Sequence, residues 1–302
     1  MLDYLNSGVM GPDVNHTNIV LIPKIKTPER MSEFRPISLC NVLYKIIFKV
    51  LANRLKQILP SVISSTQSAF VPGRLIIDNV LVAYEVLHFM HSRKTGKKGS
   101  LALKLDINKA YDRVKWGFLQ CIMTKLGFPE RWIQWMMGCV TTPTFSILIN
   151  GKAYGNINPT RGIRQGDPLS PYLFLLCAEE FTSLLQRAEL DGRIKGALIC
   201  RRVPRISNFM FAYDSIIFCR ATGGEVEVIN EVLQTYANAS RQCINMEKSL
   251  VYFNSNTQQG QKAEIESMLG VKVVERFKSY LGLPTLVGRA KYQTFSYLKD
   301  RV

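Results

Sequence analysis

Histidine is scarce in this chain of 302 residues: its three copies, at positions 16, 88 and 91, are too few and too badly placed for a zinc site or a Ser/His/Asp triad. Cysteine offers no alternative metal site, since the seven copies lie far apart, include no Cys-x-x-Cys pair and are odd in number. We therefore exclude metalloprotease and serine hydrolase functions. We expect reduced, mostly buried thiols in an intracellular protein, nuclear or cytoplasmic.

Acidic residues are also in short supply, with 23 Asp and Glu against 39 Lys and Arg, which gives a formal net charge of +16. Such an excess of positive charge favours a polyanionic partner. We expect this partner to be nucleic acid rather than a membrane surface, because no lipid anchor or basic amphipathic segment accompanies the charge. No apolar run approaches the ~20 residues of a membrane helix, and the first residues lack the basic and apolar regions of a signal peptide.

Hydrophobic residues make up 47% of the chain, enough for a substantial core and more than one lobe. Predicted strands and helices mix without regular βαβ alternation, which indicates an α+β fold. Strands are expected at residues 18–23, 101–107 and 145–149, the last ending in an Asn-Gly hairpin turn. Helices are expected at about residues 41–59, 77–91, 116–126, 129–139, 170–190 and 226–237.

The first long predicted helix, from about Asn41 to Leu59, follows directly on residues 34–39. An apolar stripe at helical spacing supports this helix and consists of Val42, Ile46, Val50, Leu51, Leu55 and Ile58. Basic side chains punctuate the same segment at Lys45, Lys49, Arg54 and Lys56. They either form a solvated face or contact a nucleic-acid backbone, and the sequence leaves both interpretations open.

The stretch from 208 to 219 predicts an apolar hairpin, buried on both faces, with a two-residue turn at Tyr213-Asp214. A carboxylate at the tip of such a hairpin is held on a stiff platform and is exposed only where the strands reverse. A metal ligand fits that position. The alternative is that Asp214 serves the turn, since Asp suits tight turns.

A second carboxylate, Asp106, lies at the carboxyl end of a predicted strand in which Leu101, Leu103 and Leu105 face the other way. A divalent ion prefers hard oxygen ligands, and the Asp106 carboxylate and the Ile107 carbonyl would provide two. A helix is expected to open at Lys109. Asp106 could therefore serve instead as a helix N-cap.

The string Gly-Ile-Arg-Gln-Gly-Asp-Pro-Leu-Ser-Pro at residues 162–171 is the most specific motif of the chain. Gly166 permits close backbone approach. Ser170 and Pro171 are expected to act as N-cap and first helical residue of the helix that follows. No structural requirement alone explains the whole string.

These stretches, together with Asn-Met-Glu-Lys-Ser at 245–249, resemble in order and separation the reverse transcriptase domain of non-LTR (LINE-type) retrotransposons, over nearly the whole chain from about Asn15. The resemblance implies the fingers and palm of a right-hand polymerase. Fingers are expected over residues 1–100 and the palm over 101–270. Residues 271–302 are expected to form a primer-grip hairpin and the start of a connection to a thumb that the chain does not complete. The chain is thus expected to be a degenerate fragment of a longer protein.

The resemblance also assigns roles to individual residues. It implies Asp106, Asp214 and Lys248 as catalytic residues, and Asp106, Ile107 and Asp214 as ligands of two Mg²⁺ ions. The residues it implies for nucleotide binding are Lys24, Arg35, Tyr111, Arg164, Gln165 and Gly166, and those for the primer grip are Tyr280, Leu281 and Gly282. Tyr111 would be the steric gate against a 2′-hydroxyl or a plain core aromatic, and Lys248 would be a general acid for pyrophosphate or a surface lysine.

One position departs from the family pattern, because the hairpin reads Phe-Ala-Tyr-Asp where the family has Phe-Ala-Asp-Asp. Tyr213 replaces the first hairpin carboxylate, and a neutral phenol is a poor Mg²⁺ ligand. We expect an RNA-directed DNA polymerase that takes an RNA template, a DNA primer and deoxynucleoside triphosphates, with impaired catalysis. The alternatives are a non-catalytic nucleic-acid binder and an unexpressed or unstable pseudogene product.

Overall fold

The structure of the chain, a computed structural model, describes residues 2–8, 10–11, 14–93, 99–200, 204–285 and 296. The helices are α1 Leu2–Ser7, α2 Val42–Val62, α3 Ile76–Ser92, α4 Trp116–Lys125, α5 Glu130–Thr141, α6 Ser170–Leu190, α7 Gly223–Ser240 and α8 Gln259–Leu269. The strands are β1 His16–Pro23, β2 Phe34–Cys40, β3 Ser100–Asn108, β4 Thr144–Ile149, β5 Lys152–Ile157, β6 Asn208–Phe211, β7 Asp214–Arg220, β8 Cys243–Ile244, β9 Leu250–Phe253, β10 Lys272–Val274, β11 Ser279–Tyr280 and β12 Leu283–Pro284. This mixture confirms the predicted α+β class.

The chain divides into two compact units, each built from separate stretches of sequence. The first unit comprises Met1–Ile63, Lys109–Glu179 and Ala239–Gln242. The second comprises Ser64–Asn108, Glu180–Asn238 and Cys243–Val302. Across the described ranges, no helix is both long enough and apolar enough to cross a bilayer.

A four-stranded sheet in the order β2-β1-β4-β5 organises the first unit. The strand β1 pairs antiparallel with β2 and parallel with β4, and the predicted Asn150-Gly151 turn joins β4 to β5 with positive φ at both residues. The strand β2 is an element that the sequence did not reveal. It contains Pro36, which is tolerated because β2 is an edge strand and needs no donor on its outer side.

The helix α2 confirms the predicted segment. The side chains it buries are Tyr44, Ile47, Phe48, Leu51, Ala52, Leu55 and Leu59. Leu51 and Leu55 of the predicted apolar stripe are thus buried, whereas Val42 and Ile46 are 70% and 51% exposed. The rings of Tyr44 and Phe48, which the stripe did not include, stack on each other. Lys45, Lys49 and Arg54 lie exposed.

The second unit is built on a sheet in the order β10-β9-β3-β7-β6, with β8 paired to the end of β3. The helix α3 packs on one face of this sheet through Ala83, Val86, Leu87 and Met90, in a core cluster that includes Ala102 of β3 and Ile216 and Phe218 of β7. The central strands β3 and β7 are therefore fixed on both sides by neighbouring strands. They form a rigid base for the carboxylates that they carry.

Candidate functional site

The β6–β7 hairpin turns one residue earlier than predicted. Phe211 pairs with Asp214, so that the two-residue turn is Ala212-Tyr213 and Asp214 is the first residue of β7. Both the predicted turn position and the alternative that Asp214 serves the turn are therefore wrong. Ala212 takes the left-handed conformation, with φ of 54°, which is uncommon for a residue with a side chain. The predicted burial of the hairpin is confirmed, since Met210, Ile216 and their neighbours are buried.

The two strands bring Asp106 and Asp214 together as direct antiparallel partners of β3 and β7. The prediction that a helix begins at Lys109 is wrong, because residues 109–113 form turns and α4 begins only at Trp116. Lys109 lies in the left-handed region at φ of 50°, which interrupts a helix. Asp106 therefore does not cap a helix, and the two carboxylates lie at the same end of two adjacent central strands.

The backbone of Asp106 is anchored by the Asn245–Ser249 turn. Its N–H donates to Ser249 Oγ at 3.2 Å, and its carbonyl accepts the Asn245 N–H at 2.8 Å. The Ser249 hydroxyl in turn donates to the Asn245 carbonyl at 2.8 Å. Lys248 lies in this turn with an exposed side chain, and Ile107 pairs with Ile244 of β8. The motif at 245–249 thus fixes the strand end that carries Asp106, a role that its sequence did not show for Ser249.

The Asp214 carboxylate is affected by burial and by two neighbouring charges. Burial raises the pKa of Asp214, the nearby Lys104 opposes this increase and the Asp106 carboxylate adds to it. Lys104 is itself held by a hydrogen bond from Nζ to the Ser279 carbonyl, at 3.0 Å. Among the described residues, no group of three or more His, Cys, Asp or Glu side chains is placed to hold a metal ion. The side chain that stands where a third carboxylate is expected, Tyr213, is 40% exposed.

The raised pKa of Asp214 predicts a pH-dependent stability. Because its folded pKa lies above the unfolded value, the favourable contribution is complete below the unfolded pKa and is lost as pH rises through the folded pKa. Asp214→Asn is therefore expected to raise the free energy of unfolding near pH 7 and to have little effect below the unfolded pKa. Urea denaturation without divalent cations at several pH values measures this, and an equal effect at every pH would show that the charge of Asp214 is not responsible.

The predicted primer-grip hairpin is present as β11 and β12, which pair Tyr280 with Leu283 around a Leu281-Gly282 turn. Tyr280 is fully buried in the core cluster on the face of the sheet that carries Asp214. Burial, with a smaller contribution from the Asp214 charge, raises the pKa of Tyr280, so its hydroxyl stays protonated at neutral pH. Tyr280 therefore anchors the hairpin, and the exposed residue of the turn is Gly282.

The motif at 162–171 forms a loop in the first unit that is joined to the segment carrying Tyr111. The Ile163 N–H donates to the Tyr111 carbonyl at 2.9 Å, and the Ser38 N–H of β2 donates to the Gln165 carbonyl at 2.8 Å. The Tyr111 ring stacks on Phe174 of α6, with ring centroids 5.4 Å apart. Tyr111 and Gln165, both assigned to nucleotide binding by the resemblance, thus belong to one hydrogen-bonded assembly.

Arg164 is buried inside this assembly. Its guanidinium donates to Thr17 Oγ1 at 2.9 Å, to the Cys139 carbonyl at 3.0 Å and to the hydroxyl of Tyr44. The Tyr44 hydroxyl donates to the Asp167 carboxylate, which also forms an ion pair with Arg164, Nε to Oδ2, at 3.5 Å. Tyr44 and Asp167 are residues whose importance the sequence did not indicate. Arg164 therefore holds the loop in place rather than presenting its charge to solvent.

A cavity of about 150 Å³ lies beside this loop in the first unit. Gln165, Asp112 and Arg161 contribute polar groups to its lining. The apolar part is provided by Ile19, Pro36, Phe48, Val140, Pro143, Phe145, Pro159, Ile163, Leu169 and Leu173. The side of the loop that carries Gln165 is therefore accessible to a small group.

Lys24 and Arg35 meet at the end of the β1–β2 ribbon. Arg35 pairs with Ile22, and the Lys24 N–H donates to the Glu33 carbonyl, so that the two basic side chains are diagonal neighbours. Both are exposed, and Lys24 Nζ donates to the Ser32 carbonyl at 2.9 Å. The two cations predicted to bind a triphosphate are thus brought together.

Glycine is required at positions 162 and 166 because the backbone of another segment lies close to each of them. A Cβ atom on Gly166 would lie 3.3 Å from the Ser38 carbonyl oxygen, and one on Gly162 would lie 2.9 Å from the Asp112 carbonyl oxygen. Both residues have positive φ, of 95° and 89°. The expectation for Gly166 is therefore confirmed, and Gly162 has the tighter contact.

Gly162→Ala is expected to destabilise the chain more than Gly192→Ala, a matched control with φ of 71° and nothing within 4 Å of its Cβ position. Gly192→Ala should lower the free energy of unfolding by about 1–2 kcal/mol because of the left-handed conformation alone. Gly162→Ala should cost roughly 1–3 kcal/mol more because of the clash with Asp112. Urea denaturation measures both, and equal costs would mean that the contact with Asp112 is not restrictive.

Comparison with known proteins places most of the chain in one family. Residues 22–293 match the family described as reverse transcriptase (RNA-dependent DNA polymerase). The transposon TX1 uncharacterized 149 kDa protein of Xenopus laevis is 34% identical over 231 residues, 76% of this chain and 17% of that protein. The Pol polyprotein from type-2 retrotransposable element R2DM of Drosophila melanogaster is 28% identical over 214 residues, 71% of this chain and 19% of that protein. The chain thus spans about a fifth of the length of these relatives.

Solved structures of other proteins resemble the fold of this chain. Telomerase from Candida tropicalis, in complex with a TWJ fragment of telomeric RNA, has a TM-score of 0.54 at 13% identity, over 97% of this chain and 49% of that one. Telomerase from Candida albicans has a TM-score of 0.51 at 12% identity, over 83% of this chain and 44% of that one. At such low identity the likeness concerns the fold alone, and it supports the predicted fingers and palm of a right-hand polymerase.

Proposed function

Because the chain belongs to the reverse transcriptase (RNA-dependent DNA polymerase) family and is a reverse transcriptase domain of the non-LTR retrotransposon type, we propose that it is built for RNA-directed DNA synthesis and that Tyr213 impairs this reaction. One observation carries the proposal. Asp106 and Asp214 are paired on adjacent strands, and the next side chain at the hairpin tip is a phenol.

The family uses divalent metal ions, and the paired carboxylates fit such an ion. Asp106 and Asp214 provide hard oxygen ligands on two directly paired residues of adjacent strands. We propose Mg²⁺ as the ion and the Ile107 carbonyl as a further ligand. When bound, the ions stabilise the charge that develops on the transferred phosphoryl group. Tyr213 leaves this ligand set one carboxylate short.

The other residues of the chain would bind and position the substrates. Lys24 and Arg35 would hold the triphosphate, since fixed cations suit phosphate oxygens. Tyr111 would exclude a 2′-hydroxyl, and Gln165 would lie against the nucleotide and template base. Arg164 and Gly166 support Gln165 through burial and close approach.

On the product side, Lys248 Nζ would donate a proton to the leaving pyrophosphate. The turn at Leu281 and Gly282, anchored by Tyr280, would contact the primer.

The substrates of this reaction would be an RNA template, a DNA primer and deoxynucleoside triphosphates. The fingers would comprise residues 1–100, the palm residues 101–270, and the primer grip would begin at residue 271. The net charge of +16 suits these polyanions. We propose an intracellular location, nuclear or cytoplasmic.

Primer extension on an RNA template with Mg²⁺ tests the proposal, by comparing the chain with its Tyr213→Asp variant. Extension by the variant alone is expected. If neither protein extends but both bind primer–template with steep salt dependence, the second candidate function, a non-catalytic nucleic-acid binder, is favoured instead. The excess of basic residues is the observation that supports this second candidate.

A further inference from the structure

Gln67 is a buried side chain that contacts the turn of the β6–β7 hairpin, although 145 residues separate it from that turn. Its Oε1 accepts the Ala212 N–H at 3.0 Å, and its Nε2 lies 3.5 Å from the Ala212 carbonyl. Gln67 thus contacts both polar backbone groups of the residue that takes the left-handed conformation. The side chain is only 2% exposed.

The segment that carries Gln67 is itself fixed against β6. The Met210 N–H donates to the Thr66 carbonyl at 2.9 Å, and the Ser68 N–H donates to the Met210 carbonyl at 3.2 Å. Asn79 of α3 adds a hydrogen bond to the same Met210 carbonyl at 2.7 Å. The residues around Gln67 therefore extend the sheet beyond β6, and Gln67 cannot move away from the turn without breaking this pairing.

One further contact orients the Gln67 side chain, and another fixes its backbone. Its Oε1 also accepts the Ala69 N–H at 3.0 Å. The Arg74 guanidinium donates to the Gln67 carbonyl at 2.5 Å and to the Ser64 carbonyl at 2.6 Å. The amide is thus oriented by its own loop and directed at Ala212. Contacts of this kind preorganise a site more precisely than packing alone.

We propose that Gln67 is a positioning residue of the catalytic hairpin: by holding Ala212 in the left-handed conformation it fixes where Asp214 begins β7 and hence where its carboxylate lies beside Asp106. A left-handed residue with a side chain persists only when its surroundings enforce it. Gln67 supplies that enforcement for Ala212. The consequence for cation binding and catalysis rests on the proposed function, whereas the consequence for the turn does not.

Hydrogen exchange at the Ala212 amide tests the turn directly. Gln67→Met keeps the length of the side chain and removes both contacts, so exchange at Ala212 should become about tenfold faster, the scale of one net hydrogen bond. Exchange at Ile216, inside β7, should stay unchanged. Gln67→Glu keeps an acceptor for the Ala212 N–H, so it should retain most of the protection even if Gln67→Met folds poorly. Unchanged exchange at Ala212 in Gln67→Met would overturn the proposal.

A functional readout separates positioning from general stabilisation. Gln186→Met is the control, since Gln186 is a glutamine of the same unit whose Nε2 donates to Ser64 Oγ at 3.2 Å, away from the turn. In a Tyr213→Asp background, Gln67→Met is expected to weaken Mn²⁺ binding at least about tenfold and Gln186→Met to leave it unchanged. Equal Mn²⁺ affinities in the two variants would contradict the positioning role. Failure of Tyr213→Asp to extend a primer would count against the proposed function and leave the exchange result standing.

Discussion

Replacing Tyr213 with aspartate is expected to speed nucleotide addition on an RNA template by at least about 100-fold. The variant restores a carboxylate beside Asp106 and Asp214, and the loss of one preorganised electrostatic group from an active site costs about 10²–10³ in rate. The turn should accept the change, because Tyr213 is partly exposed and follows Ala212, whose backbone Gln67 holds. Single-nucleotide addition to a primer, at saturating Mg²⁺ and nucleotide, measures the rate.

Two control variants separate charge from shape at this position. Tyr213→Asn has the size of aspartate without its charge, and Tyr213→Phe removes only the hydroxyl. Neither should extend the primer faster than the unaltered chain. A gain with Tyr213→Asn equal to that with Tyr213→Asp would show that the bulk of the phenol, and not the missing carboxylate, limits the reaction.

Asp167→Ala is expected to destabilise the chain by about 3–5 kcal/mol, the cost of leaving a buried charge without its partner. Arg164 and Asp167 are 6% and 5% exposed, so water cannot replace the lost carboxylate. The variant also removes the acceptor for the Tyr44 hydroxyl and for the Leu169 N–H at the start of α6. Urea denaturation, with the folded baseline checked by circular dichroism, measures the loss.

Asp191→Ala provides the matched control. The Arg187–Asp191 pair is closer, at 3.0 Å against 3.5 Å, but its side chains are 77% and 44% exposed. It should contribute about 0.5 kcal/mol or less, as exposed helical pairs do. A double variant, Arg164→Met with Asp167→Leu, should be less destabilised than Asp167→Ala because no buried charge is left. Similar costs for Asp167→Ala and Asp191→Ala would mean that burial of the first pair carries no energetic weight.

The residues that lie on regular strands were predictable from the sequence. Asp106 follows a strict alternation of leucines, and the hairpin around Met210 and Ile216 is largely apolar on either side of its turn, so both strands could be placed before the structure was known. The close approach at Gly166 could be predicted as well, because a residue without a Cβ atom permits it. Local pattern and tertiary structure agree at these positions.

Other features depend on contacts that a local pattern does not contain. The helix α2 buries Tyr44 and Phe48, whose rings stack, beside residues of the predicted apolar stripe. The turn position at Ala212 depends on Gln67, far away in sequence. The burial of Arg164 depends on Asp167 and on the hydroxyl of Tyr44. Each of these features rests on an interaction that only the folded chain brings together.

Divalent-cation binding by the free chain tests the role of Tyr213 most directly, because it requires neither a primer nor a template. Mn²⁺ titration of the chain and of Tyr213→Asp, followed by water proton relaxation, gives the two dissociation constants. We predict binding at least about tenfold tighter in Tyr213→Asp and a return to weak binding when Asp106→Asn is added to it. Equal affinities in the chain and in Tyr213→Asp would contradict the claim that Tyr213 has deprived the Asp106–Asp214 pair of a metal ligand.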